Sequence, residues 1–279
     1  MIFTYSPALH SSPKSDSMLR PFRKRENHFQ ISIGIATFER RFEDYFVPLL
    51  KSIRAYEAEA EVLVAVNGEH KKAFREDYRR RMLAALTEHP SVFPIFFPMF
   101  RSLSKLWNTL LIHASSDFVL MLNDDTLITD EKFMGKIGKI LEKNGGRSFL
   151  INQSWSHFVA AKEEIAHLGY FDERFLGIGE EDGDMTWRYI REYGAPMKNH
   201  TMKGFKNYAQ ETLLQQPENI TCHSDSKYSL FNRRFVHKKK YAVSTQGIKG
   251  MFDVPMEMKD EGPEQYPNER FYRNHLDEL

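Results

Sequence analysis

The chain of 279 residues is 41% hydrophobic and 13% aromatic, enough for one large core with appendages. A formal net charge of +1 gives no basic footprint for nucleic acid, and the single cysteine, Cys222, excludes an intrachain disulfide framework and fits a reducing compartment. No apolar run approaches the roughly 20 residues of a membrane helix, and the first residues lack the charged-then-apolar order of a secretory signal, so the expectation is a cytoplasmic protein.

Residues 1–28 are rich in Ser, Pro and charge and carry the run Arg20-Pro21-Phe22-Arg23-Lys24-Arg25. They read as a loose arm, either a solvated tail or a peripheral contact with the inner, anionic face of a membrane. A strand follows with Ile31, Ile33 and Ile35. Phe42, Phe46, Leu49, Leu50, Ile53 and Tyr56 then recur at helical spacing. Val62 to Val66 reads as a second strand stopped by Asn67-Gly68. A charged helix is expected over about 71–88, and Pro94 places a third strand, Val92 to Phe97, at a sheet edge. Leu103, Trp107, Leu110 and Leu111 mark another helix before the apolar run Phe118 to Leu122. A helix near 130–143 is expected to carry Asp130 and Glu131 in its first turn and to end at Asn144-Gly145-Gly146. One strand is expected near 148–152, a long loop over 199–225, and a tail without clear elements from 246 to 279. Strands alternating with helices predict an α/β fold, with a mostly parallel central sheet covered by helices on both faces, over residues 29–245.

Two acidic clusters carry the chemistry. The run Phe118 to Leu122 reads as a strand buried on both faces, and it leads straight into Asn123-Asp124-Asp125. Open α/β sheets bind ligands at that end of their strands. Carboxylates there are costly unless a positive group meets them, and a divalent cation such as Mg²⁺ or Mn²⁺ beside a phosphate-bearing substrate would do so. The second cluster is Glu180-Glu181-Asp182-Gly183-Asp184 at the start of a helix, where mutual repulsion favours a raised pKa and a proton acceptor. Its Asp184 and Arg188 are spaced to pair one helical turn apart.

On Leu122-Asn123-Asp124-Asp125 and on the segment Gly169 to Arg188, the chain resembles the glycosyltransferases of the GT-A fold, above all the family 2 group. The second segment also resembles the Gly-Glu-Asp segment of the β4-galactosyltransferases. The resemblance implies a metal, Mn²⁺ or Mg²⁺, bound by Asp125 with Asn123 in place of a first Asp, and Asp124 near the ribose or the metal's waters. It implies Asp182 as catalytic base and Glu181 as a residue that helps bind the acceptor. His223 is the preferred further metal ligand and His200 the lesser one. The nucleotide pocket is expected at Thr37 and Glu39, with Asn67 after the second strand and with Arg101, Lys105 and Asn108 lining the donor side. Val66 stands where relatives commonly carry an Asp, and Trp155, Ser156 and His157 stand where relatives shape the acceptor side.

The resemblance therefore implies an inverting transfer from a nucleotide-diphosphate sugar, a UDP-sugar foremost, to a hydroxyl of a glycan or lipid-linked acceptor, in bacterial surface polysaccharide synthesis. The alternative is a GT-A-like module that binds a nucleotide sugar or glycan with little turnover, to which Asn123 and Val66 give support. A nucleotidyltransferase would carry a Gly-rich phosphate loop near its start, which Ile33-Gly34-Ile35 does not supply.

Overall fold

The computed structural model describes residues 29–69, 72–207, 227–234, 240 and 241. The arm 1–28, the tail 246–279 and His223 lie outside the described residues.

The apolar runs become strands because both faces of each are covered. In β1 (Ile31–Phe38), β2 (Val62–Asn67) and β4 (Phe118–Asn123), alternate side chains enter two separate cores. Val62, Val64, Leu120 and Leu122 join Ile33 and Ile35 on one face; Leu63, Ala65, Val119 and Met121 lie on the other. The first core is closed by α1 (Val47–Tyr56), α2 (Glu76–Thr87) and α4 (Phe133–Lys143) through stripes such as Phe133, Ile137 and Leu141. The second is closed by α3 (Leu103–His113) and α6 (Glu181–Tyr193), with Trp107, Leu110, Met185 and Tyr189. Each fully buried aliphatic side chain contributes about 1.5–3 kcal/mol. The central strands are thus the firm base from which the connecting loops project.

β3 (Val92–Phe97) pairs with β2 at the sheet edge, as Pro94 predicts. The seven-stranded sheet runs β3-β2-β1-β4-β7-β6-β8, where β6 is Phe149–Ile151, β7 Ser154–Ala161 and β8 Lys198–His200. Only β7 opposes its neighbours, pairing antiparallel with both β4 and β6. The fold is therefore α/β with a mostly parallel central sheet and helices on both faces. A two-stranded annex pairs β5 (Thr126–Ile128) with β9 (Phe205–Asn207), and α5 (Lys162–His167) follows β7. α7 (Lys227–Asn232) completes the described helices. None of them is long and apolar enough to cross a membrane.

Several sequence-based expectations need correction. The single strand near 148–152 is the first arm of a hairpin, β6–β7, turning at Asn152 and Gln153 with φ of 52° and 60°. α2 starts at Glu76 rather than near 71. α4 starts at Phe133, because Asp130 accepts the Lys132 N–H and the Lys136 ammonium ahead of the helix. Of the loop expected over 199–225, the part up to 207 contains β9 and the end of β8, and 208–225 lies outside the described residues. The ending at Asn144-Gly145-Gly146 is as predicted: both glycines have positive φ, and the Gly146 N–H returns to the Leu141 carbonyl.

Candidate active site

Asp124 and Asp125 follow β4 directly, and pairing of Ala36 with Asn123 sets them beside the end of β1. That register places Thr37 against them, and its hydroxyl donates to Asp124 Oδ2 at 2.8 Å. β1 gives way to a 3₁₀ turn, Glu39–Arg41, and then a π-helical turn, Phe42–Phe46. From this irregular segment Arg41 turns inward, and its Nη2 lies 2.8 Å from Asp124 Oδ1 and 2.8 Å from Asp125 Oδ2. The guanidinium also covers the Tyr45 ring, 4.9 Å from its centroid. Burial pushes the Asp124 carboxyl up to about 6 against the pull of Arg41, with Asp125 adding to the rise. Asp125 Oδ1 is buried without a hydrogen-bond partner, as is Arg41 Nε.

A cavity of about 300 Å³ opens next to this group. The ends of β1 and β2 contribute Glu39, Arg40, Asn67 and Gly68, the approach to α2 contributes Phe74, and the first turn of α2 contributes Tyr78. Gly68 is required there: a Cβ would come within 2.7 Å of the Pro98 carbonyl oxygen. The buried Tyr78 hydroxyl has no partner, and burial, aided by Asp124, raises its pKa. Glu39 is held by Arg75 and Arg81 at 3.2 and 3.3 Å.

The second acidic cluster begins α6. Glu180 takes a left-handed φ of 77°, and Glu181 folds back so that its Oε2 accepts the Gly179 N–H at 2.6 Å. Glu181 is buried, and burial, reinforced by Asp182, pushes its carboxyl up to about 8. Asp182 is half-buried, and its Oδ1 accepts the Gly183 N–H at 2.8 Å. Asp184 is fully buried and pairs with Arg188 at 2.9 Å, as its spacing predicts, and with Lys240 at 2.6 Å. Lys240 also reaches Asp172 at 2.9 Å, so one fully buried ammonium ties the segment before α6 to the helix itself. Asn232, at the end of α7, pins the loop by bonding Leu176 N, Leu176 O and Gly179 O. Gly177 and Gly179, both at positive φ, let Tyr228 and Ser229 pack against that loop.

Both clusters lie toward the end of the sheet where β4 finishes and β7 starts. Trp155, at the start of β7, donates its indole N–H to Thr186 of α6 at 3.1 Å, and His157 is register partner of Leu122 in β4. The Leu103 N–H, at the start of α3, bonds the Gly177 carbonyl.

Other predicted site residues are engaged within the fold. Asn67 bonds both the N–H and the carbonyl of Arg101, at 2.9 and 2.8 Å, which anchors the segment entering α3. Asn108 is fully buried and bonds the N–H and carbonyl of Phe171 and the Glu173 carboxylate. Lys105 Nζ lies 3.4 Å from Glu173. His200 ends β8, three strands from β4 and thus about 14 Å away. It packs edge-on against Phe149.

One residue of the site emerges only from the structure. Arg41 carries no signal of its own in the sequence, because its carboxylate partners, Asp124 and Asp125, lie far along the chain. His157, expected on the acceptor side, is instead buried on β7 with neither ring nitrogen partnered, and burial pushes it down to about 4 against the pull of Asp125. Its burial follows from β7 being the strand beside β4, where His157 pairs with Leu122.

Among the described residues no cluster of three or more His, Cys, Asp or Glu side chains could hold a metal ion. Asp124 and Asp125 are nevertheless hard oxygen donors, and Asp125 has a spare oxygen. That pair fits a hard divalent cation whose remaining ligands are phosphate oxygens and water.

No protein-family profile and no curated protein matches the chain in sequence. Solved structures do match in fold. TarS of S. aureus superposes with a TM-score of 0.51 at 14% identity, over 78% of this chain and 45% of TarS. Its 1–349 fragment gives 0.51 at 12% identity, over 80% of this chain and 69% of the fragment. The same fragment in complex with UDP-GlcNAc gives 0.50 at 12% identity, over 80% and 70%. The chain thus spans less than half the length of full TarS. At these identities the likeness is one of fold, and the architecture is the GT-A arrangement of sheet and helices.

Proposed function

We propose that the protein is a metal-dependent, inverting glycosyltransferase that moves a sugar from a nucleoside-diphosphate sugar to an acceptor hydroxyl. The observation that carries this reading is the arrangement where the central strand β4 ends and β7 begins. A cavity with aromatic and polar walls adjoins a buried acidic pair, and a second acidic cluster stands at the neighbouring helix start. The cavity suits a nucleoside in size and lining: Phe74 and Tyr78 stand in its wall with Glu39, Arg40 and the Gly68 backbone. The complex of the TarS fragment with UDP-GlcNAc supports a UDP-sugar as donor.

Asp125, with Asp124 behind it, would hold Mn²⁺ or Mg²⁺. When bound, that ion neutralises the charge gathering on the departing diphosphate. Thr37 fixes the orientation of Asp124, and Asn67 fixes the Arg101 segment beside the donor cavity. Asp182 takes the proton of the acceptor hydroxyl, which attacks the anomeric carbon from the side opposite the diphosphate. The C–O bond to the acceptor forms as the bond to the diphosphate oxygen breaks, and the anomeric centre inverts. Glu181 shapes the loop that presents Asp182 to the acceptor, a hydroxyl of a glycan or lipid-linked glycan destined for a bacterial surface polysaccharide.

A panel of nucleotide sugars with Mn²⁺ or with chelator tests the donor by thermal shift, because a ligand that binds only the folded state raises Tm. In Asp125→Ala, Mn²⁺-dependent heat of nucleotide binding should vanish from calorimetry, while circular dichroism should show the variant folded, since Arg41 keeps Asp124 as its partner. Retained metal-dependent binding would place the ion elsewhere.

Glu181 gives a separate, pH-resolved expectation. A buried carboxyl whose folded pKa rises from 4.5 to about 8 binds more protons in the folded state than in the unfolded one across that window. Wild-type stability should therefore fall as pH climbs through it. Glu181→Gln keeps an oxygen for the Gly179 N–H but cannot ionise. Its stability relative to wild type should grow from pH 5 to pH 8.5 in urea unfolding; a pH-independent difference would contradict the burial argument.

A further inference from the structure

Arg41 has a role that the transfer scheme leaves unassigned. It is a buried arginine whose Nη2 is shared between both carboxylates of the acidic pair. The guanidinium is cradled over Tyr45, yet its Nε is buried without a partner, so it is held firmly by charge and incompletely by hydrogen bonds. The backbone that carries it passes from a 3₁₀ turn into a π-helical turn, irregular geometry of the kind found at functional sites. The two residues before it, Glu39 and Arg40, line the adjoining cavity.

We propose that Arg41 is a resident counter-ion that masks Asp124 and Asp125 from divalent cations until a nucleoside diphosphate arrives and takes over its guanidinium. The proposal rests on the glycosyltransferase reading above. With Arg41 in place the acidic pair keeps a single net negative charge. A divalent cation added alone would reverse that sign and set two cations on the same carboxylate oxygens, in a site where water screens them poorly. A cation that enters with a doubly charged diphosphate restores the original balance. Arg41 then has a new anion within the adjoining cavity, and its planar fork matches phosphate oxygens well. Metal and donor are therefore expected to bind as a unit, with Arg41 moving from carboxylate to phosphate.

The test counts free Mn²⁺ by electron paramagnetic resonance, with the full chain, in the presence and absence of UDP. Wild type should bind Mn²⁺ weakly alone and about tenfold or more tightly once UDP is present. Arg41→Met should bind Mn²⁺ alone about tenfold or more tightly than wild type does, and UDP should then add less. Its Tm in chelator should drop, since two buried carboxylates lose their cation, and Mn²⁺ should restore it. Arg41→Gln, neutral and polar, gives the same comparison should the methionine variant not fold. Equal affinity of wild type and variant for Mn²⁺ alone overturns the masking role, while Mn²⁺ binding to wild type with UDP would still uphold the glycosyltransferase reading. Failure of wild type and variant alike to bind Mn²⁺, with UDP or without, overturns both.

Discussion

Asp182→Asn should leave the protein folded and able to bind its donor, yet slow transfer by roughly a hundredfold or more, the scale of lost general-base assistance. The substitution is nearly isosteric. The asparagine side-chain oxygen can still accept the Gly183 N–H that Asp182 Oδ1 now accepts, so the first turn of α6 should keep its shape. Asp182 is half-buried where Glu181 and Asp184 are buried, which leaves it the member of the cluster open to an acceptor. Single-turnover transfer from a UDP-sugar, compared with donor binding by calorimetry, separates chemistry from affinity. Near-normal turnover in the variant would remove Asp182 from the mechanism and turn attention to Glu181, whose raised pKa also suits a proton acceptor.

The largest stability effect is expected at a cation far along the chain from both carboxylate motifs but in contact with the second one, through Asp184. Lys240→Met should cost about 3 kcal/mol or more, because deleting one partner of a buried charge network strands the others. Lys240, Asp172 and Asp184 are all fully buried, and the ammonium stands within 2.9 Å of both acids. Arg174 and Arg188 remain to compensate one acid each, which sets the expectation at the lower end of the usual range. The Asp184 carboxyl sits well below the ordinary range because Lys240, followed by Arg188, overcomes the penalty of burial. Denaturant unfolding at pH 7 should show a lower midpoint. A change below about 0.5 kcal/mol would mean that the remaining arginines satisfy the network unaided.

The architecture was legible wherever hydrophobic pattern alone decides structure. β1, β2 and β4 stand out as apolar runs because both of their faces are covered, and the acidic turn after β4 follows from where such a strand ends. The β6–β7 hairpin was hidden because its turn residues, Asn152 and Gln153, include no glycine despite positive φ at both. That conformation is held from outside, by the Asn152 amide on Met202 and by the Asn199 side chain on the Gln153 N–H. The same logic separates the site residues. Thr37, Asn67 and Asn108 are polar, lie near strand or helix ends, and suit a ligand by type, but tertiary partners claim their hydrogen bonds. Arg41 was overlooked for the converse reason, since only the pairing of β1 with β4 reveals that its neighbours are two carboxylates.

The clasp made by Asn232 and Lys240 has a temporal consequence. On a ribosome, every acidic residue of both clusters is polymerised well before the side chains that set the shape and charge of the second one. A nascent chain halted after α6 would display the complete motif while Asp172 and Asp184 still lacked their shared ammonium. Catalytic competence should therefore switch on late in synthesis, when Tyr241 has emerged, with its hydroxyl on Asp184, rather than when the last acid of the site has been added.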